Sequence, residues 1–186
     1  MKYMIGYGIQ SAERFIDEII NHKDRISEVY FSWGDFPNGR SNALGNSELT
    51  YISAMEKQMS DLRRMSENGL KFNLLLNGNC YGRQSLSRAF FEKIGETTDY
   101  ILTSYGLSSI TTTSPIIAKF IKDNFKDLEV RASVNMDIGT IEGMDYVSQY
   151  FDGYYMKREY SSLRVSFSDA MEKTIYAYHY VPSLRS

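Results

Sequence analysis

The 186-residue chain has one cysteine, two histidines, three prolines and one tryptophan. A lone Cys80 excludes an internal disulfide framework and any zinc or iron–sulfur site built from several thiolates of this chain. That cysteine usage fits a reducing, cytoplasmic compartment. With only His22 and His179 to draw on, a multi-histidine metal centre is excluded too, and no metal site is expected. No apolar run approaches the roughly 20 residues of a membrane span. The opening MKYMIGYGIQ lacks the basic flank and apolar block of a secretory signal, so neither a leader nor a membrane partner is expected. An excess of charge is missing as well: 21 Lys+Arg face 23 Asp+Glu, a formal net charge of -2. Non-specific nucleic-acid binding is therefore not the default. Phosphate-cradling glycine motifs are absent: Gly6–Gly8 is no G-x-G-x-x-G, and no G-x-x-x-x-G-K-S/T occurs.

What is there suits a folded domain. Hydrophobic residues make up 42% and charged residues 24%, an ordinary soluble balance. The length matches one compact unit able to bury a core. Aromatics are plentiful, with 15 Tyr and 10 Phe.

Strand and helix signals alternate along the chain. Lys2–Gly6 is a short strand. Ser11 can cap a helix whose Ala12, Phe15, Ile16, Ile19 and Ile20 fall on one stripe; His22 lies at its end, favourable to the helix dipole. Val29–Phe31 is a second strand, followed by a Gly-, Asn- and Pro-rich loop over Asp35–Asn46. A long helix carries Leu49, Ile52, Met55, Met59, Leu62 and Met65 on one face and stops at Asn68-Gly69. Lys71–Leu76 is a nearly all-apolar third strand, as buried parallel strands are. The next helix runs from Ser87 to Tyr105 and closes at Gly106. Leu107–Thr113 is a fourth strand. Ser114-Pro115 opens a helix with Pro at its first position, and Ile116, Ile117, Phe120 and Ile121 form its face. Glu129–Val134 is a fifth strand. Thr140 caps a helix carrying Ile141, Met144, Val147, Tyr150 and Phe151, and Tyr154–Arg158 is a sixth strand.

Six such alternations imply an α/β fold of parallel strands with right-handed crossovers. A doubly wound open sheet and a (β/α) barrel remain as alternatives. In both, function gathers where strands end. Gln10, Trp33, Asp35, Asn77, Asn79, Cys80, Thr112, Ser114, Ser133, Asn135, Asp137, Arg158 and Glu159 leave those ends. They form a rim rich in amides and hydroxyls without an obvious nucleophile–base couple. Each has a plain structural use beside the functional one. Thr111–Ser114 combines β-propensity with a helix cap; Asn77 and Asn79 flank Gly78 as a tight turn would. Asn135 can brace loop backbone, Arg158 and Glu159 can pair as a salt bridge, and Cys80 can be a small buried residue.

Asn79-Cys80-Tyr81-Gly82, Ile110–Pro115 (ITTTSP), Val130–Met136 (VRASVNM), Ile138–Met144 (IGTIEGM) and Lys157–Glu159 (KRE) follow one another in an order that resembles the peptidase U32 family. The likeness is to its uncharacterised TIM-barrel-like bacterial branch and covers residues 1–160. It implies a partial (β/α) barrel with about six of the eight strands. Some family members bear a collagenase-like protease label. Others resemble hydroxylation enzymes directed at RNA or quinones, with an iron–sulfur cluster on four cysteines of their later part. Those ligands have no counterpart here, so no cofactor is expected in this chain. Residues 161–186 depart from the family's pattern. There Leu163, Val165 and Phe167 alternate as a strand would, and Ser168 can cap a helix with Met171, Ile175 and Tyr178. A truncated or frame-shifted product, six barrel units plus a divergent tail, is the expectation.

The functional expectation is a barrel-enzyme fragment acting on a polar substrate. Asn77, Asn79, Thr112, Ser133 and Asn135 would bind that substrate. Arg158 would pair with its carboxylate or phosphate through a planar fork, and Glu159 would be either the partner of Arg158 or a general base. No Ser/His/Asp, Cys/His or zinc-binding set supports proteolysis. The rival expectations are a non-catalytic subunit, completed by a second copy or a partner chain, and a product without independent function.

Overall fold

A computed structural model describes residues 2–9, 13–38, 50–83 and 85–156, and the backbone of 174–177. Seven strands form one sheet in the order β1-β2-β3-β4-β5-β6-β7. They are β1 (Tyr3–Gly6), β2 (Ile26–Phe31), β3 (Phe72–Leu76), β4 (Leu107–Thr112), β5 (Glu129–Ala132), β6 (Gly153–Met156) and β7 (Thr174–Ala177). Every adjacent pair is parallel. Among the described residues five α-helices connect them: α1 (Glu13–Asn21), α2 (Tyr51–Glu67), α3 (Arg88–Tyr105), α4 (Pro115–Asn124) and α5 (Ile141–Val147).

A doubly wound sheet reverses its strand order at a switch point. This sheet never reverses, so that alternative is excluded. The sheet also curls. Tyr155 Oη of β6 lies 3.2 Å from Met4 Sδ of β1. Five strand spacings would separate β1 and β6 by roughly 24 Å in a flat sheet. Barrel curvature brings them together across the inner side.

Local chemistry sets the element ends. Thr50, Ser87, Ser114 and Thr140 each accept a backbone N–H three residues on, from Ser53, Phe90, Ile117 and Gly143. Such caps satisfy donors the helix itself cannot. Gly106 ends α3 in the left-handed region at φ 82°, where a side chain would be strained.

Outward-facing residues of the strands meet the helices. Val29, Phe31, Phe72, Leu74, Leu76, Ile110 and Val130 share a core with Ile16, Ile19, Leu62, Met65, Ile94, Ile101, Ile117 and Ile121. Each large side chain so buried contributes about 1.5–3 kcal/mol. Much of the aromatic content lies here. Phe31 packs edge-on against Phe72 and Trp33, at 5.9 and 6.5 Å, and Trp33 meets Tyr100 and Tyr105 at 5.8 and 6.4 Å.

Several local expectations change. Val134 leaves the strand for a 3-10 turn over Val134–Met136, because Ser133 caps that turn by accepting from Asn135 N. Ile52 and Ile116 sit at helix starts and are 69% and 51% exposed. Gln58 and Asp61 take places on the buried face of α2 instead. Ile175 lies in β7, paired with Tyr154, and not in a helix. Ser11, Ala12, Leu49 and the 163–167 strand lie outside the described residues. Among the described residues no helix is long and apolar enough to cross a membrane.

Candidate functional site at the carboxyl ends of the strands

β3 ends at Leu76 and delivers Asn77-Gly78-Asn79-Cys80-Tyr81-Gly82 to the rim. This loop is the hub of the carboxyl end. Thr113 Oγ1, just past β4, donates to the Gly78 carbonyl at 2.6 Å. Asn135 Nδ2, past β5, donates to the Asn77 carbonyl at 3.3 Å. Tyr81 Oη turns back to donate to the Leu76 carbonyl. Burial pushes the Tyr81 phenol up, against the opposing pull of Thr113 and Thr112, so it stays a neutral donor. A Cβ on Gly78 would fall 2.8 Å from both Pro37 Cβ and the Pro37 carbonyl oxygen. Gly78 is needed for that close approach, and its φ is not positive.

Four of the expected substrate-binding residues therefore gather, chiefly as braces. Thr112 is buried and its hydroxyl accepts from Ser114 N at 3.1 Å. Ser133 is buried and spends its hydroxyl on the turn cap, while its N–H extends the ladder to the Thr112 carbonyl at 2.9 Å. Asn77 is half-buried; Asn135 is exposed and spans the β3 and β5 loops. Asn79 is exposed, and so is Cys80, contrary to a buried reading. Gly82 N–H donates to Cys80 Sγ at 3.5 Å.

Trp33 and Asp35 do not join this rim group. Trp33 belongs to the outer aromatic core. Asp35 is bound by Lys93 of α3 at 2.6 Å, which holds its carboxyl below the usual range despite some burial. Lys93 also lies 4.9 Å from the Phe36 ring centroid, so the loop after β2 is tied across β3 to α3. Gln10, Arg158 and Glu159 lie outside the described residues.

Sequence reasoning missed a second polar assembly, on the inner side of the sheet. Glu28 of β2 accepts from Arg131 Nη1 of β5 at 2.5 Å. It also accepts from Ser109 and, at 3.4 Å, from Ser108. Arg131 Nη2 donates to Glu129 at 2.6 Å, and Nη1 approaches Tyr155 Oη at 3.2 Å. Asn73 Nδ2 donates to Ser109 at 2.7 Å and Thr111 donates to Asn73 Oδ1 at 2.9 Å. With Met4, six consecutive strands contribute. Burial works against the Arg131 charge, but Glu129 and Glu28 outweigh it and hold the guanidinium above its ordinary value. The available signal was alternation: Glu129-Val130-Arg131 and Ser27-Glu28-Val29 put charge on one face and an aliphatic side chain on the other.

A four-cysteine iron–sulfur cluster does not fit these 186 residues. Cys80 is their one cysteine, and no group of three His, Cys, Asp or Glu gathers among the described residues.

Parallel βα units in unbroken sequential order, curled about a common interior, place the fold in the (β/α)-barrel class. Within that class, the chain is similar in structure to the U32 peptidase Mk0906. The TM-score is 0.73 over 95% of this chain and 68% of that one, at 14% sequence identity. The partial (β/α)-barrel fold implied by the motifs is the fold observed, but with seven strands rather than about six, because Thr174–Ala177 of the expected divergent tail adds a parallel strand beside β6. No family model and no curated protein matches the sequence.

Proposed function

We propose that the chain is a U32-peptidase-like barrel protein that holds a polar substrate over the ends of β3, β4 and β5. The observation that carries this reading is the rigid rim. Thr113, Asn135 and Tyr81 lock three successive loops together through the backbone of 76–78. Exposed Asn79, and the amide oxygen of Asn135 that its bond to Asn77 does not use, face outward from a preorganised frame. Arg158 and Glu159 follow β6 by two and three residues. In this reading Arg158 grips an anionic group of the substrate and Glu159 moves a proton.

Peptides are the first substrates to try, because the structural neighbour is a U32 peptidase. The test is saturable binding and turnover of a mixed fluorogenic peptide set by the full chain. Glu159→Gln should lower kcat by about 10²–10⁴-fold with little change in KM. Replacing Asn79 and Asn135 by Ala should raise KM. Absence of both binding and turnover, or indifference to all three changes, overturns the reading.

A second reading rests on the sheet edges. Among the described residues β1 pairs only with β2 and β7 only with β6. Parallel edges invite further strands, which supports a subunit completed by a second copy or a partner chain. Size-exclusion chromatography with light scattering checks it: a stable lone monomer counts against this alternative.

A further inference from the structure

The rings of Trp33 and Tyr105 are covered on the helix side of the sheet, at 8% and 2% exposure. A second run of rings, nearer the rim, is not. Tyr81 of the hub loop meets Phe90 at 5.6 Å between centroids, Phe90 meets Phe91 at 5.6 Å, and Phe91 meets Phe120 of α4 at 5.2 Å. All four are half-buried, seated on the core with the rest of each ring in solvent. A Cβ on Gly95 of α3 would lie 3.4 Å from Phe120 Cζ, so a glycine makes room for that ring between the two helices. Two large apolar side chains flank the run: Leu86 is 70% exposed and Ile116 is 51% exposed. Leu86 directly precedes the Ser87 cap, the position from which an apolar residue packs toward the fourth helical residue, here Phe91. Ile116 stands one turn before Phe120 on the same stripe of α4. Six side chains from the hub loop and the starts of α3 and α4 therefore make one apolar strip at the level of the strand ends.

Tyr81 makes this strip continuous with the rim site. Its hydroxyl braces the hub through the Leu76 carbonyl, and its ring begins the run. None of the six side chains is charged. The charged side chains beside them on the two helices are already paired, Arg88 with Glu92 at 2.7 Å and Lys119 with Asp123 at 3.0 Å. Selection by the strip therefore works through apolar area, and polar recognition falls to Asn79 and the free amide oxygen of Asn135 at its inner end. A contiguous exposed apolar surface beside convergent polar groups is how ligand sites are built.

Resting on the rim reading above, we propose that the strip is a side-chain subsite. It takes an aromatic or large aliphatic side chain of a peptide whose backbone lies over the ends of β3, β4 and β5. Burial of that side chain supplies affinity without direction. The ring edges and faces of Tyr81, Phe90 and Phe91 favour an aromatic side chain over an aliphatic one of equal area. The subsite thus discriminates against peptides that carry only small or acidic residues at this position.

Two measurements on the full chain test this. In the first, N-acetyl-phenylalaninamide is titrated and followed by NMR. Saturable shifts should centre on Tyr81, Leu86, Phe90, Phe91, Ile116 and Phe120, and N-acetyl-glycinamide should leave those signals still. Leu86→Asp and Ile116→Asp change exposed residues outside the rim group, and each should weaken the phenylalaninamide about tenfold. Absent shifts, or shifts centred elsewhere, overturn the subsite whatever peptides do. Broadening of the same signals with protein concentration alone means that a second copy covers the strip, and it too overturns the proposal. In the second, two peptides that differ by a single Phe-to-Ala exchange are compared. The Phe peptide should bind about tenfold more tightly, and Ile116→Asp should remove that preference while leaving the Ala peptide unchanged. Equal binding of both peptides overturns the subsite and leaves the rim reading standing. Shifts at the strip without binding of either peptide support an apolar subsite and overturn the rim reading instead.

Discussion

Alternate residues of the same strands build two unlike faces. Outward, β2 and β3 present Val29, Phe31, Phe72 and Leu74 to the helices, all fully buried in one apolar core. Inward, the same strands present Glu28 and Asn73, bound to Ser109 and Arg131. The outer face relies on burial, which is non-directional and tolerates exchange between residues of similar volume. The inner face relies on geometry, because each buried polar group needs its own partner and a lost partner leaves the other stranded. One sheet thus combines a forgiving face with an exacting one.

Truncation on the outer face should cost most. Phe72→Ala removes a fully buried ring and should lower stability by about 4 kcal/mol in denaturant unfolding. On the inner face, Arg131→Met strands Glu28 and should cost about 3 kcal/mol. Here the faces should part company. Adding Glu28→Leu to Arg131→Met should restore most of that loss, since paired apolar replacement of a buried ion pair is often neutral. Additive losses in that double-mutant cycle would mean the pair acts no differently from outer packing.

Tyr154 offers a pH-based comparison. Burial, with Asp145 and Asp152, pushes its phenol up to about 12 from 10.0. Its folded-state value lies above the unfolded one, so its contribution is complete below pH 10 and is lost as pH rises toward 12. Stability should fall there by about 2 kcal/mol through this group. In Tyr154→Phe the alkaline fall should be shallower, although the bond to the Met144 carbonyl is also lost. At the rim, Thr113→Val removes the donor to the Gly78 carbonyl and should cost about 1 kcal/mol. Lys93→Met breaks an exposed pair with Asp35 and should cost less than about 0.5 kcal/mol. A larger effect there would make the β2 loop a structural strut comparable to the inner network.

Much of the fold was legible because its signals are local. Most of the stripes of α1 and α4 (Phe15 and Ile116 are exposed instead), the Ser114-Pro115 start and the Asn68-Gly69 stop depend on neighbours a few residues apart. Partner identity is not local. Asp61 has a local partner in Lys57, one turn earlier at 2.5 Å, but its place inside depends also on Tyr7, whose hydroxyl donates to it at 2.9 Å from 54 residues away. The inner network was hidden for the same reason: Glu28 and Arg131 are 103 residues apart. At the rim, residue types suggested substrate contacts, yet Thr112 and Ser133 are used on the loops themselves. Sequence cannot reveal whether a hydroxyl's hydrogen bonds are already spent.

The unbroken strand order also bears on how the chain reaches this state. Each strand pairs with its sequence neighbour, so a nascent chain can add one βα unit at a time and bury outer-face residues as it goes. Inner contacts cannot form that way. Glu28 must wait for Arg131, and Met4 for Tyr155, 151 residues later. The first half of the molecule therefore emerges with a charged carboxylate that is stranded if sealed too early and satisfied only when the fifth strand arrives. This timing favours late closure, with the Arg131 contacts as the step that completes the curl.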